Sequence, residues 1–270
     1  MVASDTPAVA RYRSRPRTVA TDRGTGPALV LAHGTLMDRT MFAPQVDALA
    51  AEYRVVAYDL RARTDRYADD YDLWDLADDC AALMDGLAID SAVLGGMSMG
   101  GFMALRFARR YPEHVDGMVL IDTTAGPHEA HEIERYRDMV ETVREAGVVP
   151  DQLADVVAHI LFGATTNEER PDLVDHWCDR WRTYPPEAIH REVESWLERP
   201  DFTAELGAID VPALVVHGEE DLGLAPERSD GLVEGLDAER VLVPEAGHSS
   251  NLERPEPVTE AIRAFLDRVY

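Results

Sequence analysis

Residues 91–110 read SAVLGGMSMGGFMALRFARR. The run Ser91 to Leu94 has strand character, Gly96-Met97-Ser98-Met99-Gly100-Gly101 follows it directly, and Gly101 to Arg110 has a helical pattern. A serine on so tight a strand-to-helix turn must adopt a strained backbone. Glycines two residues to either side let neighbouring chain pass close and leave the Ser98 hydroxyl exposed. A glycine-serine pattern alone is a weak signal. Strand, turn and helix in the required order make Ser98 a candidate nucleophile.

Working outward, the same alternation continues on both sides. Short β-rich runs at Ala28 to Ala32, Arg54 to Tyr58 and Gly117 to Ile121 are separated by amphipathic stretches at Met41 to Ala51 and Asp72 to Ala88. This is the βαβα pattern of an α/β fold, a mostly parallel central sheet with helices on both faces. Runs such as ALVLA and MVLI are apolar almost throughout, as expected of strands covered on both sides. Arg17 to Asp22, followed by Gly24, Gly26 and Pro27, reads as a hairpin leading into the first central strand. The strand signal stops between Thr124 and Gly207. Helical spacing takes over there, with Ile133, Tyr136, Val140 and Val143 on one face and Leu173, Val174, Trp177 and Trp181 on another. The pattern predicts a core domain from residues 1–123 and 208–270 and an inserted helical cap, or lid, over 124–207. After the insertion come a strand at Ala213 to Val216, a helix after Pro226, a strand at Arg240 to Val243 and a last helix from Pro255 to Val269.

A serine hydroxyl is a poor nucleophile until a base takes its proton. Of nine histidines, His248 is the best placed, in a loop after a strand and before the last helix, where a side chain can reach the carboxyl edge of the sheet. His128, His131, His176 and His190 fall in the helical insertion and are expected to be solvated, and His33 is expected to be buried and structural. The base needs an acid to hold its tautomer. Asp221, just past a strand in Val216-His217-Gly218-Glu219-Glu220-Asp221, completes the order Ser, Asp, His; Glu219, Glu220 and Asp122 are its rivals. Two backbone N–H groups should receive the developing oxyanion. Met99, next to the nucleophile, is one, and Thr35, after His33-Gly34, is the other, with Leu36 as its competitor. Leu36 and the aromatic residues Tyr136, Phe162, Trp177, Trp181 and Trp196 are candidates to line an apolar substrate pocket. Cys80 and Cys178 lie far apart in helical patterns, with neither metal-ligand spacing nor a disulfide framework. Cys80 shares a helix face with Leu73, Leu76, Leu83 and Leu87 and reads as an ordinary core residue.

Leu31-Ala32-His33-Gly34-Thr35, Tyr58-Asp59-Leu60-Arg61, the Gly96 to Gly101 turn, Gly218 to Asp221 and Gly247 to Pro255 together resemble the α/β-hydrolase superfamily over nearly the whole chain. Within it they are most similar to esterases and 3-oxoadipate enol-lactonase-like hydrolases. The resemblance implies a Ser98-Asp221-His248 triad, an oxyanion hole at Thr35 and Met99, and a cap at 124–207. It implies ester or lactone hydrolysis through an acyl-enzyme, with no metal or organic cofactor. The same triad would also serve carbon-carbon bond hydrolysis or perhydrolysis, and the same fold would serve a non-turnover ligand-binding receptor. Relatives that attack with an aspartate are excluded by serine at 98. The chain departs from the resemblance at Arg61-Ala62-Arg63-Thr64-Asp65-Arg66, where relatives usually carry a Gly-His-Gly turn.

Charge narrows the partners. The chain carries 51 Asp and Glu against 26 Arg and no Lys, a formal net charge of -25. Phosphate binding needs clustered basic residues, so nucleic acid and anionic membrane are not expected partners, and a small neutral or cationic ester or lactone is. Met1 to Arg17 has no apolar run of signal-peptide length, and no segment reaches the roughly 18 apolar residues of a membrane span. The reading is a cytoplasmic protein, monomer or homodimer. Repulsion among so many carboxylates opposes compaction unless ions screen it, and at about 1 M salt the Debye length is only about 3 Å. Adaptation to a salt-rich, halophilic cytoplasm follows as an expectation. The melting temperature should climb steeply between low and molar KCl; a flat dependence would contradict it.

Overall fold

The structure is a computed structural model that describes residues 20–270. Met1 to Arg17, read above for a leader, lies outside the described residues. Seven strands form one sheet: β1 (Ala20–Arg23), β2 (Ala28–Ala32), β3 (Arg54–Tyr58), β4 (Ala92–Met97), β5 (Val115–Ile121), β6 (Ala213–Gly218) and β7 (Glu239–Val243), in the order β1-β3-β2-β4-β5-β6-β7. Pairing is parallel everywhere except β1 with β3.

The strand side chains divide with a period of two, as a pleated backbone requires. Val30, Leu94, Met118 and Leu120 point into one core, where they meet Leu76, Cys80 and Leu83 of α2 (Leu73–Gly86) and Leu105 of α3 (Met99–Arg110). Leu29, Leu31, Val93, Val119 and Ile121 point into the other, against α1 (Ala43–Leu49) and α11 (Pro255–Val269). Every residue of β2 and β4 is buried. That explains their unbroken apolar reading. α2 begins where Asp72 accepts from the N–H groups of Trp74 and Asp75 and the Asp75 carboxylate returns to the Asp72 N–H, a capping box.

Between β5 and β6 the chain forms α4 (Ala130–Ala146), α5 (Asp151–Leu161), α6 (Ala164–Glu169), α7 (Pro171–Thr183) and α8 (Pro186–Leu197). Polar bonds tie these helices to the sheet unit: Arg180 pairs with Asp38, Arg63 with Glu192, and Thr165 donates to Glu220. After β6 come α9 (Asp230–Leu236), β7 and the short α10 (Ser250–Glu253), which leads into α11.

Two sequence expectations need correction. The stretch ending at Asp22 does not make a hairpin with β2. Its described part, β1, crosses over and pairs antiparallel with β3, Ala20 opposite Tyr58; Arg17 to Val19 lie outside the described residues. The expected strand Ser91 to Leu94 is observed as Ala92–Met97. Gly95 and Gly96 have poor strand propensity, but both are buried and paired with β2 and β5, and the Leu31 side chain occupies the space a Cβ at Gly95 would need.

The strand-to-helix turn explains its own glycines. A Cβ on Gly100 would overlap the Ala32 carbonyl, and one on Gly96 would overlap the Gly100 backbone. Both obstacles are backbone, the first in the central strand β2 and the second in the first turn of α3. Gly100→Ala should therefore cost about 1–3 kcal/mol or more, lowering Tm by at least roughly 2–4 °C in a chain of this size. Thermal denaturation checks it, and an unchanged Tm would contradict the packing described.

Candidate active site

The carboxyl ends of β2, β4, β6 and β7 meet at one edge, where open α/β sheets place their ligands. Ser98 follows β4 with φ 50° and ψ -115°. This left-handed strain is rare for a residue with a side chain. It is held in place by the Ser98 N–H donating to Ile121 (2.9 Å) and by Thr123 Oγ1 and the Gly101 N–H donating to the Ser98 carbonyl (2.9 and 2.8 Å).

His248 comes from the loop after β7. Its Nδ1 lies 2.7 Å from Asp221 Oδ2 and its Nε2 lies 2.9 Å from Ser98 Oγ. An ionised carboxylate only accepts, so Nδ1 carries the proton in the neutral ring and Nε2 is left to accept from the serine hydroxyl. Burial opposes charge on this imidazole, but the Asp221 charge and hydrogen bond outweigh it, with Asp122 adding to them. The pKa of His248 lies above its ordinary 6.5.

Asp221 is satisfied on both oxygens. Oδ1 accepts from the N–H groups of Gly223 (2.8 Å) and Leu224 (2.9 Å), and Oδ2 accepts from His248 and from His217 Nε2 (3.0 Å). Burial would raise its pKa, yet the two histidines hold it below the usual aspartate value. The rivals do other work. Glu220 accepts from the Thr165 N–H (2.8 Å), Glu219 is exposed, and Asp122 accepts from the Gly218 and Ser250 N–H groups and the Ser250 hydroxyl, pinning the ends of two site loops together.

Sequence reading did not single out His217 or Glu253. His217 Nε2 faces both Asp221 and the Leu224 carbonyl (2.8 Å), two acceptors, so it carries a proton there and buttresses the acid. Its position next to Gly218, within the motif that holds Asp221, was the available signal. Glu253, buried one turn past His248, accepts from the N–H groups of Gly247 and Ser249 (both 3.0 Å) and of Gly163 (2.8 Å), and so anchors the histidine loop. Asp122, His217 and Asp221 also have ligand-type atoms within 4.8 Å of one another. N–H or O–H donors face the Asp122 and Asp221 oxygens, and His217 Nε2 presents a proton, so the trio reads as a hydrogen-bond cluster.

At the other side of Ser98, the Thr35 and Met99 N–H groups have no acceptor among the described residues, and Met99 is the first residue of α3. The Leu36 N–H is engaged, donating to Glu192 Oε2 at 3.1 Å. Of the two loop amides, the Thr35 N–H is the one left without an acceptor among the described residues.

A cavity of about 90 Å³ opens from Ser98, His248, Thr35 and Leu36 between α3 and the inserted helices. Val140 and Val143 of α4, Val157 and Ile160 of α5, and Ile189, Val193 and Trp196 of α8 form its walls. Tyr136 and His128 also line it. Of the residues expected to line a pocket, Leu36, Tyr136 and Trp196 do so, but Phe162, Trp177 and Trp181 do not. Those three are packed in the second core, Phe162 and Trp181 stacked at 6.3 Å; the helix that carries Trp177 and Trp181 packs on α5 and α6. His128 is a second correction. It is buried between Tyr136 and Trp196 (ring centroids 5.3 and 5.2 Å), where burial and then the Arg199 charge push its pKa down to about 3, so it is neutral. Among the described residues no Arg, Asp or Glu lines the cavity; the Arg199 guanidinium lies over the Phe102 ring, 3.7 Å from its centre, and is not among the lining residues. Among the described residues no helix is long and apolar enough to cross a membrane.

Comparison with known proteins agrees with this architecture. Over 244 residues the chain is 27% identical to 3-oxoadipate enol-lactonase 2 of Acinetobacter baylyi, covering 90% of this chain and 89% of that one. A thermophilic esterase from Thermogutta terrifontis superposes with a TM-score of 0.86 at 34% identity, covering 93% of each chain. The enol-lactonase from Burkholderia xenovorans LB400 superposes with a TM-score of 0.83 at 29% identity, covering 92% of this chain and 95% of the other. The sequence profile of the alpha/beta hydrolase fold matches residues 27–255. The chain belongs to the α/β-hydrolase fold family.

Proposed function

We propose that the chain is a serine hydrolase that cleaves uncharged carboxylic esters or lactones through an acyl-enzyme, with residues 124–207 acting as a cap on the core. The observation that carries this reading is the unbroken line Asp221–His248–Ser98, 2.7 and 2.9 Å, at the mouth of an apolar cavity. Ser98 Oγ attacks the carbonyl carbon while His248 Nε2 takes its proton. The carbonyl oxygen, now negative, receives the Thr35 and Met99 N–H groups. The C–O bond to the leaving group breaks as His248 returns the proton to the departing alcohol. Water then repeats the sequence on the acyl-enzyme, releases the acid and restores Ser98.

The cavity supports a substrate class. Its volume of about 90 Å³ and its aliphatic walls favour a short-to-medium acyl group over a bulky one. A carboxylate buried there would have no cation to meet, a penalty of several kcal/mol. A neutral short-to-medium acyl group fits both limits.

On p-nitrophenyl esters, Ser98→Ala should lower kcat by at least about 10⁴-fold and Asp221→Asn by about 10⁴-fold. Full activity in either variant would overturn the mechanism. For the parent, kcat/KM should rise from acetate toward hexanoate by up to about fourfold per methylene, as about 0.8 kcal/mol per buried methylene implies. A terminal carboxylate on the same acyl chain should reverse that gain; a preference for the carboxylate-bearing ester would refute the substrate class.

Activity needs His248 neutral in the free enzyme. Because its pKa is raised, kcat/KM should fall on the acid side through a midpoint above 6.5. A pH–rate profile with its midpoint below that value would contradict the Asp221–His248 electrostatics.

A further inference from the structure

We propose that the ion pair of Glu192 and Arg63 is a clamp on the oxyanion loop, which makes the inserted helix α8 part of the catalytic geometry as well as a pocket wall. The proposal rests on the reading of Thr35 as an oxyanion donor.

The loop after β2 turns sharply. Leu36 takes φ 63°, the left-handed region, although it carries a branched side chain, and the Met37 N–H closes the turn on the Gly34 carbonyl at 3.2 Å. A non-glycine residue persists there only when its surroundings over-determine it. Two bonds from outside the loop do so. Glu192 Oε2 accepts from the Leu36 N–H at 3.1 Å, and Arg63 Nε donates to the Met37 carbonyl at 2.9 Å. These two side chains bond to one another, Arg63 Nη2 to Glu192 Oε2 at 2.8 Å, with side-chain exposures of 4% and 0%. The Arg63 guanidinium also lies 3.9 Å from the centre of the Tyr184 ring, in the turn between α7 and α8.

One carboxylate oxygen thus holds both the loop amide and the cation that holds the next carbonyl. The Thr35 N–H shares a peptide plane with the Gly34 carbonyl, which the Met37 N–H holds, so its direction is tied to the turn that Glu192 and Arg63 fix at Leu36 and Met37. Ile189, Val193 and Trp196, on the same helix as Glu192, line the cavity. A displacement of α8 that opened the pocket would withdraw Glu192 from the loop at the same time. Glu192 and Arg63 are positioning residues, since neither lines the cavity.

The test uses Arg63→Met/Glu192→Met, which removes both charges together so that neither is stranded, and Glu192→Gln, which keeps an acceptor for the Leu36 N–H. Active sites are counted with a fluorophosphonate, and kcat per site is measured on a p-nitrophenyl ester. The double variant should lose at least tenfold in kcat, up to the hundredfold or more that one oxyanion donor is worth, with KM within about twofold, and Glu192→Gln should recover most of the loss. A double variant whose kcat per site stays within twofold of the parent overturns the proposal, as does a loss that appears only as fewer active sites. Hydrogen exchange at Leu36 reads the clamp without catalysis or mutation. In the unaltered chain that amide should be protected at least tenfold relative to an unstructured amide, and free exchange overturns the clamp even if the double variant does not fold. A parent that shows no Ser98-dependent turnover counts against the hydrolase reading instead, and exchange at Leu36 still decides the clamp.

Discussion

A carboxylate in a dry interior is costly unless donors reach it, and Asp221 is where this fold meets that demand. Two backbone N–H groups and two imidazoles converge on it. Because the carboxylate stays charged, His248 is fixed in one tautomer and one orientation, and the lone pair on its other nitrogen faces Ser98. The β6 and β7 loops are shaped around this requirement. Asp122 ties their bases together and Glu253 collects the amides of the histidine loop, so three buried acids, each satisfied by backbone donors, hold His248 in register with Ser98.

The inserted helices solve a different problem. On the proposed mechanism, a hydroxyl deprotonated in open water has little advantage over solvent, so the site needs apolar walls that exclude water yet leave the donors in place. α4, α5 and α8 supply aliphatic walls, and the polar anchors of the helices between β5 and β6, Glu192 on α8, Arg180 on α7 and Thr165 on α6, do not line the cavity. Charges are numerous on the surface and absent from the cavity lining, which lets a chain of net charge -25 keep a neutral pocket.

Much of this was legible in the amino-acid sequence because it is local. Strand apolarity, the glycines around Ser98 and the loop positions of Asp221 and His248 each follow from a few neighbouring residues. The side on which β1 pairs could not be read that way, since an edge strand's partner is chosen by the whole sheet. Phe162, Trp177 and Trp181 show the same limit: helical spacing marks an apolar face without saying whether it turns toward a cavity or a core. His128 looked solvated because its neighbours are polar, but Tyr136 and Trp196, eight and 68 positions along the chain, enclose it. Glu192 left a trace that went unread, a carboxylate on the same helix face as Ala188, Ser195 and Trp196, and its partner Arg63 is far away in sequence.

The most direct measurement of the central claim is acid-quenched mass spectrometry of the enzyme mixed with excess p-nitrophenyl hexanoate. The account predicts a transient gain of one hexanoyl group, mapped to the peptide containing Ser98 and absent from Ser98→Ala. Steady release of p-nitrophenol with the acyl group found on another residue, or with turnover unchanged in Ser98→Ala, would contradict it.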